Sequence, residues 1–231
     1  MTRSELINFI LSKTKGRNYL EIGIRDGINL SMIQAENRAG VDPAYKLKKI
    51  IYIKNYLDIN TFQLFKMTSD RFFETEVEKA FPNGIDLVFV DGLHNYEQSL
   101  RDVENSLKYL NPKGYIVMHD CNPTQEADAF PVKSSFAEIE TALSTTGIPG
   151  WTGAWNGDVW KTIAHLRASR PDLSVQTVDS DYGLGVITRA SNQPLLDLDL
   201  NELQEKDYHY LVANRKSLLN LVSTEEFVRQ F

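Results

Sequence analysis

Two spacings of apolar residues alternate along the first half of the chain. Short apolar runs predict strands at residues 18–22, 41–42, 85–90 and 115–118, and an alternation of apolar and polar residues predicts another at 62–67. Between the strands, apolar residues recur every three or four positions, as at Leu100, Val103 and Leu107, which predicts helices. Helices are also predicted at 45–57 and 72–81, and Thr2 is expected to open the N-terminal helix. Such an alternation of strand and helix is typical of a parallel sheet covered by helices.

The pattern changes after residue 122. Residues 173–178 and 183–188 predict two strands, and the short turn between them makes these strands antiparallel. The predicted fold class is therefore α/β, a Rossmann-like, mostly parallel sheet with helices on both faces and a terminal antiparallel hairpin. We expect a single domain over residues 1–231, with a core of about 18–190, an N-terminal helix at 2–14 and a C-terminal helical extension at 200–231.

Composition narrows the class of protein. The chain is 42% hydrophobic and 24% charged, as is usual for a globular protein. Its net charge of -6, without a long basic run, argues against a nucleic-acid partner. No stretch reaches the roughly 18 apolar residues of a membrane span, and residues 1–15 lack the pattern of a signal peptide. With Cys121 as its one cysteine, the chain is expected to be cytoplasmic, without a membrane partner.

A glycine-containing turn follows the first predicted strand. Gly23 and Gly27 stand where a buried strand turns into a helix, and glycine there lets a ligand approach the backbone. Asp42 ends the second predicted strand about twenty residues after Glu21, where Rossmann-like folds place an acid that accepts hydrogen bonds from ribose. Thr68-Ser-Asp70 follows the third strand. The three loops leave the carboxyl ends of neighbouring strands and predict one cofactor site.

In this order, the motifs resemble those of class I S-adenosylmethionine-dependent methyltransferases, over about residues 18–190. The resemblance implies that Glu21 and the turn to Gly27 hold the methionine part, that Asp42 holds the ribose, and that Ser69 and Asp70 lie near the adenine. The cofactor-binding residues that it implies are Glu21, Gly23, Arg25, Asp26, Gly27, Asp42, Pro43, Thr68, Ser69, Asp70, Asp91 and Gly92.

Polar residues also end the next two central strands. Val90-Asp91-Gly-Leu-His94 and Met118-His119-Asp120 resemble a subgroup of small-molecule O-methyltransferases, of the macrocin O-methyltransferase type, in which acids at these places bind a divalent metal. The resemblance implies Asp91 and Asp120 as metal ligands, with His119 where a further acid is expected. Carboxylates suit Mg²⁺, whereas a histidine ligand favours a transition metal, so metal binding stays open.

Transfer of a methyl group to a hydroxyl needs a group that takes the hydroxyl proton. His94, just before a helix that Asn95 is expected to cap, and Asp120 are the two candidate bases, and Asp91 completes the predicted catalytic set. The candidate acceptor contacts are His94, His119, Trp155 and Asp158. Two competing interpretations stay open, that His119 points away from the site and that the tryptophan anchors its loop.

The leading hypothesis is an S-adenosylmethionine-dependent O-methyltransferase that acts on a hydroxyl of a small molecule, with a saccharide or glycosylated metabolite as candidate acceptor. One alternative is a nicotinamide-dependent oxidoreductase, which Arg25 disfavours because it replaces the glycine that lets a pyrophosphate come close. The other is a catalytically silent, cofactor-binding regulatory or scaffold subunit. The terminal helices could pair subunits into a homo-oligomer.

Overall fold

The computed structural model describes residues 1–57 and 61–231. The chain divides into a first unit, residues 1–92 with 101–117, and a second unit, residues 93–100 with 118–231. The first unit contains the loops that were predicted to bind the cofactor. The second contains His94 and Asp120.

Parallel strands form the centre of the first unit. They are β1 (Asn18–Ile22), β2 (Asn37–Val41), β3 (Gln63–Phe65), β4 (Ile85–Val90) and β5 (Leu110–Met118), in the spatial order β3-β2-β1-β4-β5. Residues 110–117 of β5 belong to the first unit. β1 pairs in parallel with β2 and β4, which places Leu20 opposite Ala39 and Val88. These three side chains are all fully buried. Burial on both faces explains why β4 is an almost continuous apolar run rather than an alternating one.

Helices connect these strands in the order α1 (Arg3–Thr14), α2 (Ile28–Met32), α3 (Lys49–Tyr56), α4 (Ser69–Thr75), α5 (Val77–Ala80) and α6 (Tyr96–Tyr109). α1 begins with a capping box, in which the Thr2 side chain accepts from the Glu5 amide while the Glu5 carboxylate accepts from the Thr2 amide at 2.8 Å. α6 begins at the predicted cap, where Asn95 Oδ1 accepts from the Gln98 amide at 2.8 Å.

The second unit contains a hairpin and several helices. Its elements are α7 (Ala137–Thr145), α8 (Trp160–Ser169), β6 (Leu173–Val178), β7 (Leu184–Arg189), α9 (Leu200–Leu203), α10 (Tyr208–Leu219), β8 (Leu221–Val222) and α11 (Thr224–Val228). β6 pairs antiparallel with β7 and parallel with β8. The loop between β5 and α8 has a small apolar core of its own, formed by Ala127, Val132, Ile139 and Ile148 with Trp151 and Trp155 packed against it.

The predicted fold class is confirmed, since parallel strands alternate with helices and an antiparallel hairpin lies near the end of the chain. Several predicted boundaries were wrong. β2 begins at Asn37 rather than 41, because its pairing with β1 starts at Asn18. α3 begins only at Lys49, because the Lys46 and Lys48 amides donate to carbonyls of the cofactor turn instead of to a helix.

Three further boundaries differ from the prediction. The helix expected at 72–81 is two helices, α4 and α5, which meet at Glu76. β5 begins at Leu110 rather than 115, directly after α6, where Asn111 donates to Asp86 Oδ1 at 2.7 Å. The C-terminal region contains β8 as well as helices, and a strand of two residues leaves too short a pattern to be seen in the sequence.

Within residues 1–57 and 61–231, no helix combines the length and the apolar composition that crossing a bilayer requires. The single-domain organisation and the homo-oligomer stay predictions.

Candidate active site

The turn after β1 is built on a glycine that no other residue could replace without a shift. Gly23 has a φ of +84°, and a Cβ added there would lie 2.0 Å from the Asp91 carbonyl oxygen. The Gly23 amide donates to the Val41 carbonyl at 2.8 Å, and the Asp91 amide donates to the Ile22 carbonyl at 2.8 Å. The ends of β1, β2 and β4 therefore meet at this glycine.

Asp42 joins the two loops that were expected to hold the cofactor. One of its carboxylate oxygens accepts from the Arg25 amide at 2.9 Å and the other accepts from the Ala44 amide at 2.6 Å. Arg25 adopts a left-handed conformation with a φ of 47°, which glycine adopts more readily. The turn thus keeps a glycine-like path although it carries an arginine, and Asp42 helps to hold that path.

Glu21 lies in a buried hydrogen-bond network. Its Oε2 accepts from the Tyr19 hydroxyl at 2.6 Å and from the Asn29 amide group at 2.8 Å. Burial raises the pKa of the Glu21 carboxyl to about 8, with the nearby Asp91 also raising it, while the two hydrogen bonds and Arg3 oppose the shift. Glu21 is therefore mostly protonated at neutral pH in the unliganded protein.

α1 reaches the same end of the sheet. Arg3 Nη1 lies 2.9 Å from Asp91 Oδ2, and the neighbouring Ser4 hydroxyl donates to Asn29 Oδ1 at 2.8 Å. Since Asn29 in turn donates to Glu21, the first turn of α1 is connected to both acids of this region. The sequence analysis assigned no role to Arg3, Ser4 or Asn29.

The loop after β3 is fixed by contacts within the first unit. Thr68 caps α4, Ser69 donates to the buried Asp102 at 2.6 Å, and Asp70 lies 3.4 Å from Arg101. Ser69 and Asp70 therefore already have protein partners. Among the other predicted cofactor residues, Asp26 accepts from the Ile28 amide at 3.1 Å, whereas Pro43 is exposed.

Four ionisable side chains of the second unit form a chain. Asp120, which is 4% exposed, places Oδ2 at 3.2 Å from His94 Nε2 and at 2.9 Å from His119 Nδ1. The other nitrogen of His119 lies 3.5 Å from Asp181, in the turn between β6 and β7. Asn156 donates to the second oxygen of Asp120. Carboxyl and imidazole groups thus alternate from Asp181 to His94.

The protonation of His94 follows from its two neighbours. Its Nδ1 lies 2.8 Å from the Trp155 carbonyl oxygen, and a carbonyl only accepts, so Nδ1 carries a proton. The lone pair of a neutral ring would then be on Nε2, directed at the Asp120 carboxylate. Two lone pairs at that separation repel, so a proton or a metal ion between Nε2 and Asp120 stabilises the arrangement.

The Asp120 segment is held in an uncommon backbone conformation. Asp120 has a φ of 60°, in the left-handed region. The next two amides, of Cys121 and Asn122, donate to the Gly183 and Tyr182 carbonyls at 3.0 and 2.8 Å. The turn between β6 and β7 therefore fixes the backbone that presents Asp120, and strain of this kind is often found at functional sites.

Trp155 and Asp158 have contacts that favour structural roles. The Trp155 indole donates to the Phe130 carbonyl at 2.7 Å, and its ring lies 4.8 Å from the His94 ring. Asp158 accepts from the Tyr96 amide at 2.7 Å, at the start of α6, and lies 3.4 Å from Lys161. Burial raises the pKa of Asp158, and Lys161 opposes the shift. His119, 5% exposed between two carboxylates, is likewise better placed to position Asp120 than to contact an acceptor.

Residues 20–121 match the sequence model of a family described as a methyltransferase domain. That part of the chain is therefore similar to a methyltransferase domain. Over 112 residues it is also 32% identical to the uncharacterized protein R132 of Acanthamoeba polyphaga mimivirus, in a match that covers 44% of this chain and 50% of that protein. The chain thus spans about half the length of this curated relative.

Solved methyltransferases share the fold at low sequence identity. The O-methyltransferase TomG of Streptomyces achromogenes, solved with S-adenosylmethionine and involved in tomaymycin synthesis, is 13% identical with a TM-score of 0.56, covering 82% of this chain and 80% of its own. PaMTH1 of Podospora anserina, bound to S-adenosylhomocysteine, is 17% identical with a TM-score of 0.54, covering 82% and 78%. An O-methyltransferase of Bacillus cereus, with the same ligand, is 15% identical with a TM-score of 0.52, covering 81% and 80%. At these identities the likenesses show the fold of the chain and nothing beyond it.

Within each unit, the structure groups the predicted residues only in part. In the first unit, Gly23, Arg25 and Gly27 lie in one turn, which Asp42 joins by accepting from the Arg25 amide, and Glu21 immediately precedes this turn in β1. In the second, His94, His119 and Asp120 are in contact. Sequence reasoning missed Arg3, Asn29, Asn156 and Asp181. For Asp181, the one available signal was an acid in the short turn of the predicted hairpin.

Proposed function

We propose that this chain is an S-adenosylmethionine-dependent O-methyltransferase that acts on a hydroxyl of a small molecule. The observation that carries the proposal is the Asp42 carboxylate, which accepts from the Arg25 amide at 2.9 Å and so joins the glycine turn after β1 to the end of β2. An acid in that place is suited to ribose hydroxyls. The match of residues 20–121 to a methyltransferase domain supports the same assignment.

The two units would contribute different chemistry. The bound cofactor would supply an electrophilic methyl group on a sulfonium. In the first unit, Asp42 would bind the ribose, Ser69 and Asp70 would lie near the adenine, and Glu21 would face the amino-acid end. The second unit would take up the proton of the acceptor hydroxyl.

His94 and Asp120 are best treated as one proton-accepting pair. Their atoms Nε2 and Oδ2 lie 3.2 Å apart, so a proton accepted by either is shared with the other. The Trp155 carbonyl fixes the ring by accepting from Nδ1. Asn156 fixes the carboxylate by donating to its other oxygen. The pair of His94 and Asp120 together, rather than one of the two residues alone, is therefore proposed as the base.

A divalent cation is the second arrangement that this pair supports. The Asp120 carboxylate suits Mg²⁺, whereas the His94 ring favours a transition metal. Two neighbouring ligands at about 2.1 Å from one ion lie roughly 3 Å apart, close to the 3.2 Å between His94 Nε2 and Asp120 Oδ2. A metal-binding histidine normally donates its other N–H to an acceptor, as His94 does to Trp155. Asp91 and Asp120 are the ligands that the resemblance implies. The residues present therefore fit a cation.

The acceptor is proposed to be a saccharide or another hydroxylated small molecule. Its support is the half-buried Trp155 ring, which lies 4.8 Å from the His94 ring and offers an aromatic face beside the proton-accepting pair. His119 and Asp158 are proposed as further contacts of the acceptor, and Asp91 as a member of the catalytic set.

Calorimetry with S-adenosylmethionine, S-adenosylhomocysteine and NAD tests the cofactor, and transfer of a labelled methyl group to a panel of saccharides and phenols tests the reaction. We expect the two adenosyl compounds to bind and NAD not to bind. His94→Gln should abolish transfer and leave cofactor binding unchanged. The matched control His209→Gln, at an exposed histidine, should leave both transfer and cofactor binding unchanged. Binding without transfer to any acceptor would favour the catalytically silent subunit.

The same transfer assay distinguishes the two arrangements of the pair. If EDTA abolishes transfer and added Mg²⁺ restores it, His94 and Asp120 act as ligands. If EDTA leaves the rate unchanged, they act as the proton-accepting pair. Binding of NAD in preference to S-adenosylmethionine would refute the proposed function in either case.

A further inference from the structure

Helix α1 contributes a cation that contacts one of the two acids of the cofactor region, Asp91. Arg3 is the first residue of that helix, and its guanidinium lies 2.9 Å from Asp91 Oδ2. It is also near enough to Glu21 to oppose the rise in the pKa of that carboxyl. The side chain of Arg3 is 29% exposed and that of Asp91 is 18% exposed, so solvent and small ligands can reach the pair.

The amino-acid end of S-adenosylmethionine carries an ammonium and a carboxylate. Asp91 offers acceptors for an ammonium but repels a carboxylate, and Glu21 does the same once a bound ammonium favours its ionised form. A guanidinium has five N–H donors in a planar fork and can bind two carboxylates at once. Arg3 is therefore the group of this region whose chemistry matches the carboxylate of the ligand.

We propose that Arg3 binds the α-carboxylate of the cofactor and so makes the first turn of α1 part of the amino-acid subsite. The inference rests on the proposed function, because it names a recognition residue of the same cofactor site. Arg3 would keep its contact with Asp91 or exchange it for the ligand carboxylate. In both cases its positive charge offsets the two acids that receive the ammonium.

A purely structural role for Arg3 is the competing explanation, and the packing of α1 argues against it. Leu6 and Ile7 of α1 are 0% exposed and Ile10 is 1% exposed, so the helix is held by its apolar face. Its N-terminus is stabilised separately by the capping box of Thr2 and Glu5. Ser4 adds a hydrogen bond to Asn29 at 2.8 Å. Loss of the Arg3 charge is therefore expected to leave α1 folded.

The test is calorimetric and uses three ligands on the full chain. S-adenosylhomocysteine has the amino-acid end, 5′-methylthioadenosine lacks it, and decarboxylated S-adenosylmethionine lacks only the carboxylate. The variants are Arg3→Met, which removes the charge, and Arg3→Lys, which keeps the charge without the fork. Arg17→Met is the matched control, since Arg17 precedes β1 and pairs with the exposed Glu36.

Arg3→Met should weaken S-adenosylhomocysteine binding by about 10- to 100-fold, which corresponds to the loss of a charge-assisted contact. Binding of the two ligands without a carboxylate should change by less than about threefold. Arg3→Lys should give an intermediate loss, and Arg17→Met should bind all three ligands like the wild type.

Equal losses for all three ligands, or no loss for S-adenosylhomocysteine, would overturn the role of Arg3. Thermal unfolding of each variant identifies a folding defect, and in that event Arg3→Lys carries the comparison. Failure of the wild-type protein to bind any adenosyl ligand would instead refute the proposed function, so the two failures are distinct.

Discussion

The buried carboxyl of Glu21 gives a prediction that needs no knowledge of the acceptor. Burial raises the pKa of this group from 4.5 to about 8 in the folded protein. Between these values the unfolded chain has lost the proton that the folded chain retains, so stability falls by about 1.4 kcal/mol for each pH unit. The full effect between pH 4.5 and pH 8 is on the order of 3 to 6 kcal/mol. Above pH 8 no further loss comes from Glu21.

Glu21→Gln removes the titration while preserving the local contacts. Both hydrogen bonds, from Tyr19 at 2.6 Å and from Asn29 at 2.8 Å, end on the same oxygen of Glu21, so an amide oxygen can take its place. The variant should therefore approach or exceed wild-type stability at pH 8, with a stability difference that grows in its favour from pH 5 to pH 8.

Urea denaturation at a series of pH values from 5 to 9 measures this difference. Glu74→Gln, which changes an exposed carboxylate of α4, serves as the matched control. Parallel curves of unfolding free energy for wild type and Glu21→Gln across this range would show that burial does not hold the proton on Glu21, and the reasoning would then be wrong.

Three further outcomes are expected. S-adenosylhomocysteine should bind more tightly as the pH rises to about 8, because its ammonium favours the ionised form of Glu21. Calorimetry in buffers of different ionisation enthalpy should therefore detect a proton released on binding. Glu21→Gln should abolish this proton release. Gly23→Ala should lower the melting temperature and prevent cofactor binding, because the added Cβ would lie 2.0 Å from the Asp91 carbonyl oxygen. Gly147→Ala is the control. Gly147 also has a positive φ, of +69°, but no atom lies within 4 Å of an added Cβ, so this variant measures the cost of the backbone conformation alone. Gly157→Ala should reduce methyl transfer by at least about tenfold while leaving cofactor affinity unchanged. The reason is that the added Cβ would lie 1.8 Å from the His94 carbonyl oxygen and would displace His94. Equal activity of variant and wild type would contradict the proposed role of His94.

Local patterns were enough to predict the strands of the parallel sheet and the glycine at position 23 that opens the cofactor turn. The runs at β1 and β4 are apolar because both faces of these strands are buried, and the glycine at 23 is required by a φ of +84°. The caps of α1 and α6 were likewise visible, since capping depends on residues within one turn. These features are encoded by neighbours in the sequence.

The partners of the site residues were not visible in this way. Arg3 and Asp91 are 88 positions apart, and His94 and Trp155 are 61 positions apart, yet each pair is in contact. Such separations are far longer than the periods of a helix or a strand, so the spacing of residues in the sequence does not predict these contacts. The contacts of Trp155 with Phe130 and of Asp158 with Tyr96 likewise join residues 25 and 62 positions apart.

The sequence by itself determined the α/β fold, the glycine turn and the acid that follows β2, because each depends on short-range periodicity, backbone sterics or fixed spacing. Only the tertiary structure decided which protons and charges these groups carry. Glu21 keeps its proton because the folded chain buries it. His94 is oriented because the carbonyl of Trp155, 61 positions away in the sequence, accepts a hydrogen bond from its ring. Solvation and hydrogen-bond partners are properties of a three-dimensional neighbourhood, which residue order alone does not specify.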